Sequence, residues 1–250
     1  MLKLIDRIFT DKHANHAAIG DNYLLMLMYR FASPFAVFLH RLGMTPNWIT
    51  TWSLTFSLLA FIPLAFDEGW GWFAAFWGMS VLLDFCDGTV ARMSNSVSKA
   101  AFRYDHMSDL FKLSLLFLGV AIRYDEPDIW VLSFSVTFIF LYFNILNMEL
   151  AGIYRRKAGQ STPAGNAAQT SATRTRDRVR LIAWLVKHDR LYRFVKGAYA
   201  SFITVNGHSL LLFFLLPLGS DVAMAVFAYL ILVMTYGIQS RIRTLLRIER

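Results

Sequence analysis

Four aspartates lie in a stretch of the chain that is otherwise strongly apolar: Asp84, Asp87, Asp105 and Asp109. A carboxylate at membrane depth costs several kcal/mol unless another group compensates its charge, and four carboxylates close together also repel one another. Divalent cations supply this compensation, because hard carboxylate oxygens are preferred ligands of Mg²⁺, Mn²⁺ and Ca²⁺. The stretch therefore predicts a metal site at a face of a membrane.

The spacing of the aspartates predicts two helix faces that can meet. Asp84 and Asp87 share one face of a helix, and Asp105 and Asp109 share a face of the next helix. Two antiparallel helices joined by a short turn can bring these faces together, and four carboxylates suffice for two divalent ions. The alternative is that the aspartates form salt bridges with three nearby basic residues: Arg92, Arg103 and Lys112.

Small residues and an arginine follow the first aspartate pair. Gly88 and Ala91 leave room for a ligand close to the backbone of the same helix. Arg92 supplies a cation that can bind a phosphate group with two parallel hydrogen bonds. Carboxylate metal ligands, small residues and an arginine together indicate a diphosphate-binding site.

The composition is that of an integral membrane protein. Of the 250 residues, 56% are hydrophobic and 16% aromatic, and the mean hydropathy is +0.43, which is unusual for a soluble domain. Basic residues in cytoplasmic segments account for the net charge of +8, so we expect no nucleic-acid partner. A single cysteine, Cys86, excludes a disulfide framework within these residues.

Long apolar runs predict an all-α fold with six transmembrane helices. Their expected ranges are 47–66, 69–92, 105–122, 129–148, 201–218 and 222–240. Acidic and basic residues fall in alternate connecting segments, and the basic side is expected to be cytoplasmic. Both termini and the aspartates then lie on the cytoplasmic side of what we expect to be a bacterial inner membrane.

Residues 23–42 are also apolar, but they contain Arg30, Pro34 and Arg41. A seventh span would break the alternation of charge, so this segment is predicted to be an interfacial amphipathic helix. The expected domains are a cytoplasmic N-terminus with this helix over residues 1–45 and a six-helix membrane domain over residues 46–250. Within the latter, residues 155–200 are predicted to be a basic cytoplasmic loop, in which residues 174–196 form a surface helix on anionic membrane lipids.

The aspartate stretch resembles the signature of the CDP-alcohol phosphotransferase family, Asp-x₂-Asp-Gly-x₂-Ala-Arg-x₈-Gly-x₃-Asp-x₃-Asp. The matching positions are Asp84, Asp87, Gly88, Ala91, Arg92, Asp105 and Asp109. One position departs from the signature, since Ala101 stands where the family has glycine. The turn at residues 45–50 also resembles the segment before the family's first span, and the six-span layout covers most of the chain.

The resemblance implies a transferase of phospholipid biosynthesis that moves a phospho-alcohol group from a CDP-linked donor to an acceptor hydroxyl and releases CMP. It implies two divalent cations, Mg²⁺ or Mn²⁺, bound by the four aspartates, with Asp109 also acting as general base. Gly88, Ala91 and Arg92 would contact the CDP moiety. Asn47 and Thr50 are candidates for the cytidine end of the donor.

The acceptor side is less defined by the sequence. Arg155 and Arg156 could bind a phosphorylated acceptor, and three polar residues at the end of the fourth predicted span could line its pocket: Asn144, Asn147 and Glu149. We expect CDP-diacylglycerol as donor and a small polar alcohol as acceptor. The reverse arrangement, in which a CDP-linked choline or ethanolamine head group is given to a lipid alcohol, stays open.

Other classes of protein also use intramembrane aspartates. Intramembrane prenyltransferases bind diphosphates through Mg²⁺ and aspartate-rich motifs, but no second motif of this kind follows Asp109. Ion transporters are the non-enzyme alternative, although the chain shows no inverted repeat. The resemblance also allows a homodimer and, because of Ala101, a family member with reduced activity.

Overall fold

The computed structural model describes residues 9–19, 22–96, 99–160, 189–203 and 208–248, and these residues form helices without a β-strand. The helices are α1 (His16–Ile19), α2 (Tyr23–Arg41), α3 (Pro46–Ala65), α4 (Trp70–Met93), α5 (Lys99–Tyr124), α6 (Pro127–Gln160), α7 (Asp189–Ile203), α8 (His208–Leu212), a 3₁₀ helix (Phe213–Leu218) and α9 (Ser220–Ile248). The predicted all-α fold class is confirmed for this part of the chain.

Local sequence signals determine where α2 ends and α3 begins. Gly43 has φ +73, a left-handed conformation that lets the chain leave α2 without a side-chain clash. Thr45 caps α3 by accepting a hydrogen bond from the backbone N–H of Trp48, and Pro46 occupies the first turn, where its missing N–H costs nothing. The turn therefore determines where α3 begins, and Thr50 lies in the first turns of that helix.

Helices α4 and α5 both pack closely against α3. Ser53 Oγ donates to the Ser80 carbonyl at 2.9 Å, and Ser80 Oγ donates to the Ser53 carbonyl at 2.8 Å, which ties α3 to α4. Small residues allow such close approach between membrane helices. On α5, a Cβ at Gly119 would lie 3.0 Å from the Leu64 side chain of α3. Through α3, this packing holds the two aspartate-bearing helices in one unit.

Aromatic side chains join the rest of the bundle to this unit. The Phe117 ring of α5 packs edge to face with Phe213 of the 3₁₀ helix and with Phe227 of α9, at centroid distances of 5.7 and 5.6 Å. All three rings are almost completely buried. Trp77 of α4 also donates its indole N–H to the Leu210 carbonyl of α8 at 3.1 Å. Helix α9 is thereby held against α5, and α8 against α4.

Five helices in the described part of the chain are long and apolar enough to cross a membrane: Tyr23–Arg41, Pro46–Ala65, Trp70–Met93, Pro127–Leu150 and Ser220–Arg247. Four of them correspond to predicted spans. Helix α5 covers the predicted span 105–122 without a break, but it carries Asp105, Asp109 and Lys112 and is therefore less apolar. The six-span count itself stays a prediction.

The predicted span 201–218 differs from the structure. Helix α7 ends at Ile203, residues 204–207 lie outside the described residues, and α8 is followed by the 3₁₀ helix. Pro217 lies in the 3₁₀ segment, and its missing backbone N–H removes one main-chain hydrogen bond there. The prediction of one continuous helix across this range is therefore wrong for the residues described.

Helix α2 has the length and hydropathy of a span, so its interfacial position stays a prediction, as do the domain limits at residues 45 and 46. It packs against α4, where Cys86 Sγ donates to the Ala32 carbonyl at 3.6 Å. The predicted loop at residues 155–200 begins inside α6, which continues to Gln160, and its end overlaps α7. Residues 161–188 of that loop lie outside the described residues.

Candidate metal and substrate site

Three of the four aspartates converge on one point. Helix α4 presents Asp84, and α5 presents Asp105 and Asp109 one turn apart. One carboxylate oxygen from each of the three lies within 4.8 Å of the other two. Metal–oxygen bonds of about 2.1–2.4 Å span about 4.2–4.8 Å between opposite ligands, so the three oxygens fit around a single divalent cation. These aspartates can therefore hold a metal ion.

Asp87 lies beside this trio and is held by the protein itself. Its side chain is buried, with 3% exposed. Thr50 Oγ1 of α3 donates to Asp87 Oδ2 at 2.6 Å, and the Gly88 backbone N–H donates to Oδ1. Each carboxylate oxygen has a second lone pair, so Asp87 can still bind a cation. Its predicted role as a metal ligand stays a prediction.

Lys112 of α5 lies between two of the trio. Its Nζ contacts Oδ1 of Asp84 and lies 2.7 Å from Oδ1 of Asp109, and the side chain is only 5% exposed. The salt-bridge alternative therefore applies to these two aspartates, with Lys112 as the partner. Four carboxylates against one ammonium still leave an excess of negative charge, so the ion pairs do not remove the attraction for a divalent cation.

Arg92 is oriented by uncharged groups. Its Nε donates to the His13 carbonyl at 2.5 Å, and its guanidinium carbon lies 5.4 Å from the centre of the Tyr29 ring. Arg92 forms no ion pair within the described residues, so its charge remains for a ligand. A Cβ at Gly88 would lie 3.3 Å from Arg92 Nη1, and glycine thus keeps space open beside the guanidinium.

One cavity of about 890 Å³ connects these groups. Every residue predicted for the metals or the CDP moiety lines it: Asn47, Thr50, Asp84, Asp87, Gly88, Ala91, Arg92, Asp105 and Asp109. Its volume lies at the upper end of the range of about 300–1,000 Å³ that is usual for small-molecule sites. Away from the aspartates the walls are largely apolar and include Leu113, Phe117 and Phe140. The cavity can therefore accept a molecule with a charged end and an apolar end.

The acceptor-side predictions have mixed outcomes. Asn144 and Asn147 line the cavity, whereas Glu149 does not and is exposed. The backbone of Arg155 and Arg156 lies in α6, but their side chains fall outside the described residues, so their role stays a prediction. The side chain of Ala101 also falls outside the described residues.

Two basic residues of the cavity were not predicted as part of the site. Lys112 follows Asp109 by three residues on the same helix face. This spacing indicated a salt bridge between the two residues, but it did not indicate that Lys112 also contacts Asp84. Arg241 of α9 donates from Nε to Asn147 Oδ1 of α6 at 2.8 Å and also lines the cavity. No spacing in the sequence relates Arg241 to the aspartates, because it lies on the last described helix.

The model of one protein family matches this chain. The CDP-alcohol phosphatidyltransferase family matches residues 43–236, which is more than half of the chain and extends from the turn before α3 into α9. The matched range contains the four aspartates, Arg92 and Asn147. A comparison with curated proteins finds no match.

Proposed function

The chain belongs to the CDP-alcohol phosphatidyltransferase family, and we propose that it transfers a phosphatidyl group from CDP-diacylglycerol to a small polar alcohol with release of CMP. The family supports the transfer of a phospho-alcohol group from a CDP-linked donor. The observation that carries the proposal is the convergence of four aspartates and Arg92 on one cavity with apolar walls. The charged wall suits a diphosphate, and the apolar walls suit the acyl end of a lipid donor.

The residues of α3 and α4 are proposed to bind the donor. Arg92 would hold a phosphate oxygen, since its charge has no carboxylate partner within the described residues. Gly88 and Ala91 keep the backbone of α4 accessible next to it. Asn47 and Thr50 lie at the start of α3 and line the same cavity, where they would meet the cytidine end.

The carboxylates suit Mg²⁺ or Mn²⁺, and two such ions are proposed. Asp84, Asp105 and Asp109 would hold one ion through the oxygens that already converge. Asp87, oriented by Thr50, would contribute to the second. When bound, the ions stabilise negative charge on the diphosphate and on the departing CMP.

Asp109 is proposed to accept the proton of the acceptor hydroxyl. The hydroxyl oxygen forms a bond to the phosphorus that carries the diacylglycerol. The bond from that phosphorus to the bridging oxygen breaks, and CMP leaves with the electron pair. Lys112 contacts Oδ1 of Asp109, which leaves Oδ2 for the proton. The Asp109 side chain is 38% exposed against 22% for Asp84, so it is the more accessible of the two.

The site is proposed to face the cytoplasm of a bacterial inner membrane, with both termini on the same side. Charge supports this orientation. Arg41, Arg92 and Arg241 lie at the helix ends near the site, whereas Asp67 and Asp125 lie at the far ends of α3 and α5. The assembly we expect is a homodimer.

The reaction is tested by CMP release from purified protein in detergent with Mn²⁺. CDP-diacylglycerol, CDP-choline and CDP-ethanolamine are supplied separately, each with polar and lipid alcohols. Asp87→Ala is the inactive comparison, and Asp128→Ala, which alters an exposed aspartate at the start of α6, is the matched control. Release from CDP-diacylglycerol alone supports the proposal. Release only from a CDP-linked head group would reassign the donor, and no release from any donor would refute the reaction.

A further inference from the structure

The N-terminal part of the chain forms one wall of the cavity, although it precedes the range 43–236 that the family model matches. Residues 9–19, here called the N-terminal strap, consist of a turn and the short helix α1. Asn15 of the strap and Tyr29 of α2 line the same cavity as Arg92 and the aspartates. The cavity is therefore built from more of the chain than the matched range.

The main chain of the strap holds Arg92. The His13 carbonyl accepts a hydrogen bond from Arg92 Nε at 2.5 Å, and Nη2 donates to Thr89 Oγ1 at 3.4 Å. The Tyr29 ring lies 5.4 Å from the guanidinium carbon, within the range of a cation–π contact. These contacts leave Nη1 beside Gly88. The strap therefore helps to orient the guanidinium group that is proposed to hold a donor phosphate.

Asn15 lies close to this guanidinium group, because it follows His13 by only two residues. Two residues of extended chain span at most about 7 Å. The asparagine amide carries two N–H donors, and hydrogen bonds to a charged phosphate oxygen are stronger than those to a neutral acceptor. Asn15 can therefore reach an oxygen of the diphosphate that Arg92 would bind.

The strap is attached to the rest of the protein by a small number of contacts. Of its described side chains, those of Ala14 and Ile19 are buried, with 8% and 6% exposed. Asp11 pairs with Arg30 of α2 at 3.6 Å, but these side chains are 29% and 42% exposed, and such pairs contribute little stability. Segments with few buried contacts open locally at low cost in free energy. The strap can therefore open to admit a ligand and close on it.

We propose that the N-terminal strap closes over the bound donor and that Asn15 donates a hydrogen bond to a phosphate oxygen of its diphosphate. This inference rests on the proposed function for the identity of the donor, and it adds a donor-binding residue outside the matched range. His13 is a positioning residue, because its carbonyl acts through Arg92.

Binding is measured by calorimetry with CDP and Mn²⁺ on the full chain in detergent. Asn15→Ala should raise the Kd for CDP by about 10- to 100-fold, the usual contribution of a hydrogen bond to a charged group. An unchanged Kd for Mn²⁺ without CDP shows that the variant is folded. His16→Ala, at an exposed position of the same strap, should leave the Kd for CDP unchanged. An unchanged Kd for CDP in Asn15→Ala overturns the proposal.

Asp11→Asn tests closure of the strap by the sign of its effect. Loss of the exposed ion pair with Arg30 should loosen the strap and raise the Kd for CDP by about two- to fivefold. Electrostatics alone predicts the opposite, because the loss of a negative charge favours the binding of an anion. Tighter binding of CDP in Asp11→Asn would therefore contradict closure.

Limited proteolysis detects closure without turnover. Trypsin cleaves after Lys12, which is exposed within the strap, and mass spectrometry follows the new N-terminus at His13. Because coupling between two equilibria is reciprocal, saturating CDP should slow this cleavage by the same factor of about 10- to 100-fold, and Asn15→Ala should remove the protection. Cleavage after Arg247, exposed at the end of α9, should not change. Equal rates of cleavage after Lys12 with and without CDP overturn closure.

Steady-state CMP release separates this inference from the proposed reaction. In Asn15→Ala the KM for CDP-diacylglycerol should rise, while the KM for the acceptor alcohol stays the same. An unchanged donor KM overturns the role of Asn15 alone. Binding of CDP that depends on Asn15, without CMP release from any donor, refutes the reaction and leaves the strap as part of a nucleotide site.

Discussion

Replacing Lys112 with methionine tests whether the aspartates form a metal site or only a cluster of salt bridges. The ammonium contacts Asp84 and lies 2.7 Å from Asp109, and the lysine side chain is 5% exposed. Removing one partner of a buried ion pair costs about 3–5 kcal/mol, because the remaining charge stays buried without compensation. The side chains of Asp84 and Asp109 are 22% and 38% exposed, so solvent screens part of this cost. In metal-free protein we expect a loss of about 3 kcal/mol in the free energy of unfolding.

Mn²⁺ should reverse this loss in Lys112→Met. A divalent cation bound by the trio supplies the positive charge that the lysine supplied. A ligand at 100 times its Kd stabilises a protein by about 2.7 kcal/mol, which is close to the expected cost. Without the competing ammonium, the Kd for Mn²⁺ should fall by about tenfold or more, equivalent to about 1.4 kcal/mol.

The assay is thermal unfolding in detergent with EDTA or with Mn²⁺, together with the Mn²⁺ Kd from an electron paramagnetic resonance titration. For a chain of this size, 3 kcal/mol corresponds to a fall of about 6–12 °C in Tm. Lys112→Arg retains the charge and should lose less. Ser114→Ala alters a hydroxyl that bonds only within α5 and should leave the Kd for Mn²⁺ unchanged. An equal fall in Tm with EDTA and with Mn²⁺, or weaker Mn²⁺ binding in Lys112→Met, would refute the assignment of the trio as a metal site.

Three further substitutions test single steps of the account. Asp109→Asn should lower CMP release by about 10²–10⁴-fold, the usual contribution of a general base, while calorimetry shows unchanged CMP binding. Thr50→Val removes the 2.6 Å hydrogen bond to Asp87; since a bond to a charged group contributes about 1.5–3 kcal/mol, the free energy of unfolding of the metal-free protein should fall by a similar amount. The Kd for Mn²⁺ should rise, because Asp87 is no longer held in place. Gly237→Ala would place a Cβ 2.7 Å from Phe143 Cε2. The Phe143 ring must then move, and since overpacking costs about 1–3 kcal/mol in the free energy of unfolding, the Tm in thermal unfolding should fall by about 2–12 °C.

Each of these substitutions has a control in the chain. Asp128→Asn changes an exposed carboxylate at the start of α6 and should retain full turnover. Thr55→Val loses only a hydrogen bond to the backbone of its own helix, and Gly152→Ala meets no atom within 4 Å. Normal turnover in Asp109→Asn would exclude the general-base role. An unchanged Kd for Mn²⁺ in Thr50→Val would separate Asp87 from the metal site, and an unchanged Tm in Gly237→Ala would contradict the close packing of Phe143 against α9.

The helices and the convergence of the aspartates could be predicted from the sequence. Helical periodicity is a local property, so the spacing of Asp105 and Asp109 is enough to place both on one face of α5. Long apolar runs likewise predicted α3, α4, α6 and α9. The run at residues 201–218 misled the same reasoning, because hydropathy does not distinguish a continuous α-helix from a short α-helix followed by a 3₁₀ segment.

Only the tertiary structure decided which residues contact one another between helices. The sequence by itself determined the class of chemistry, since carboxylates at paired helical spacing beside an arginine indicate a bound cation and a diphosphate. It did not determine that Thr50 orients Asp87, that Lys112 joins Asp84 to Asp109, or that Arg241 reaches the same cavity from α9. Those contacts depend on the rotation and register of packed helices, which arise from the fit of many side chains at once and leave no local periodicity in the chain.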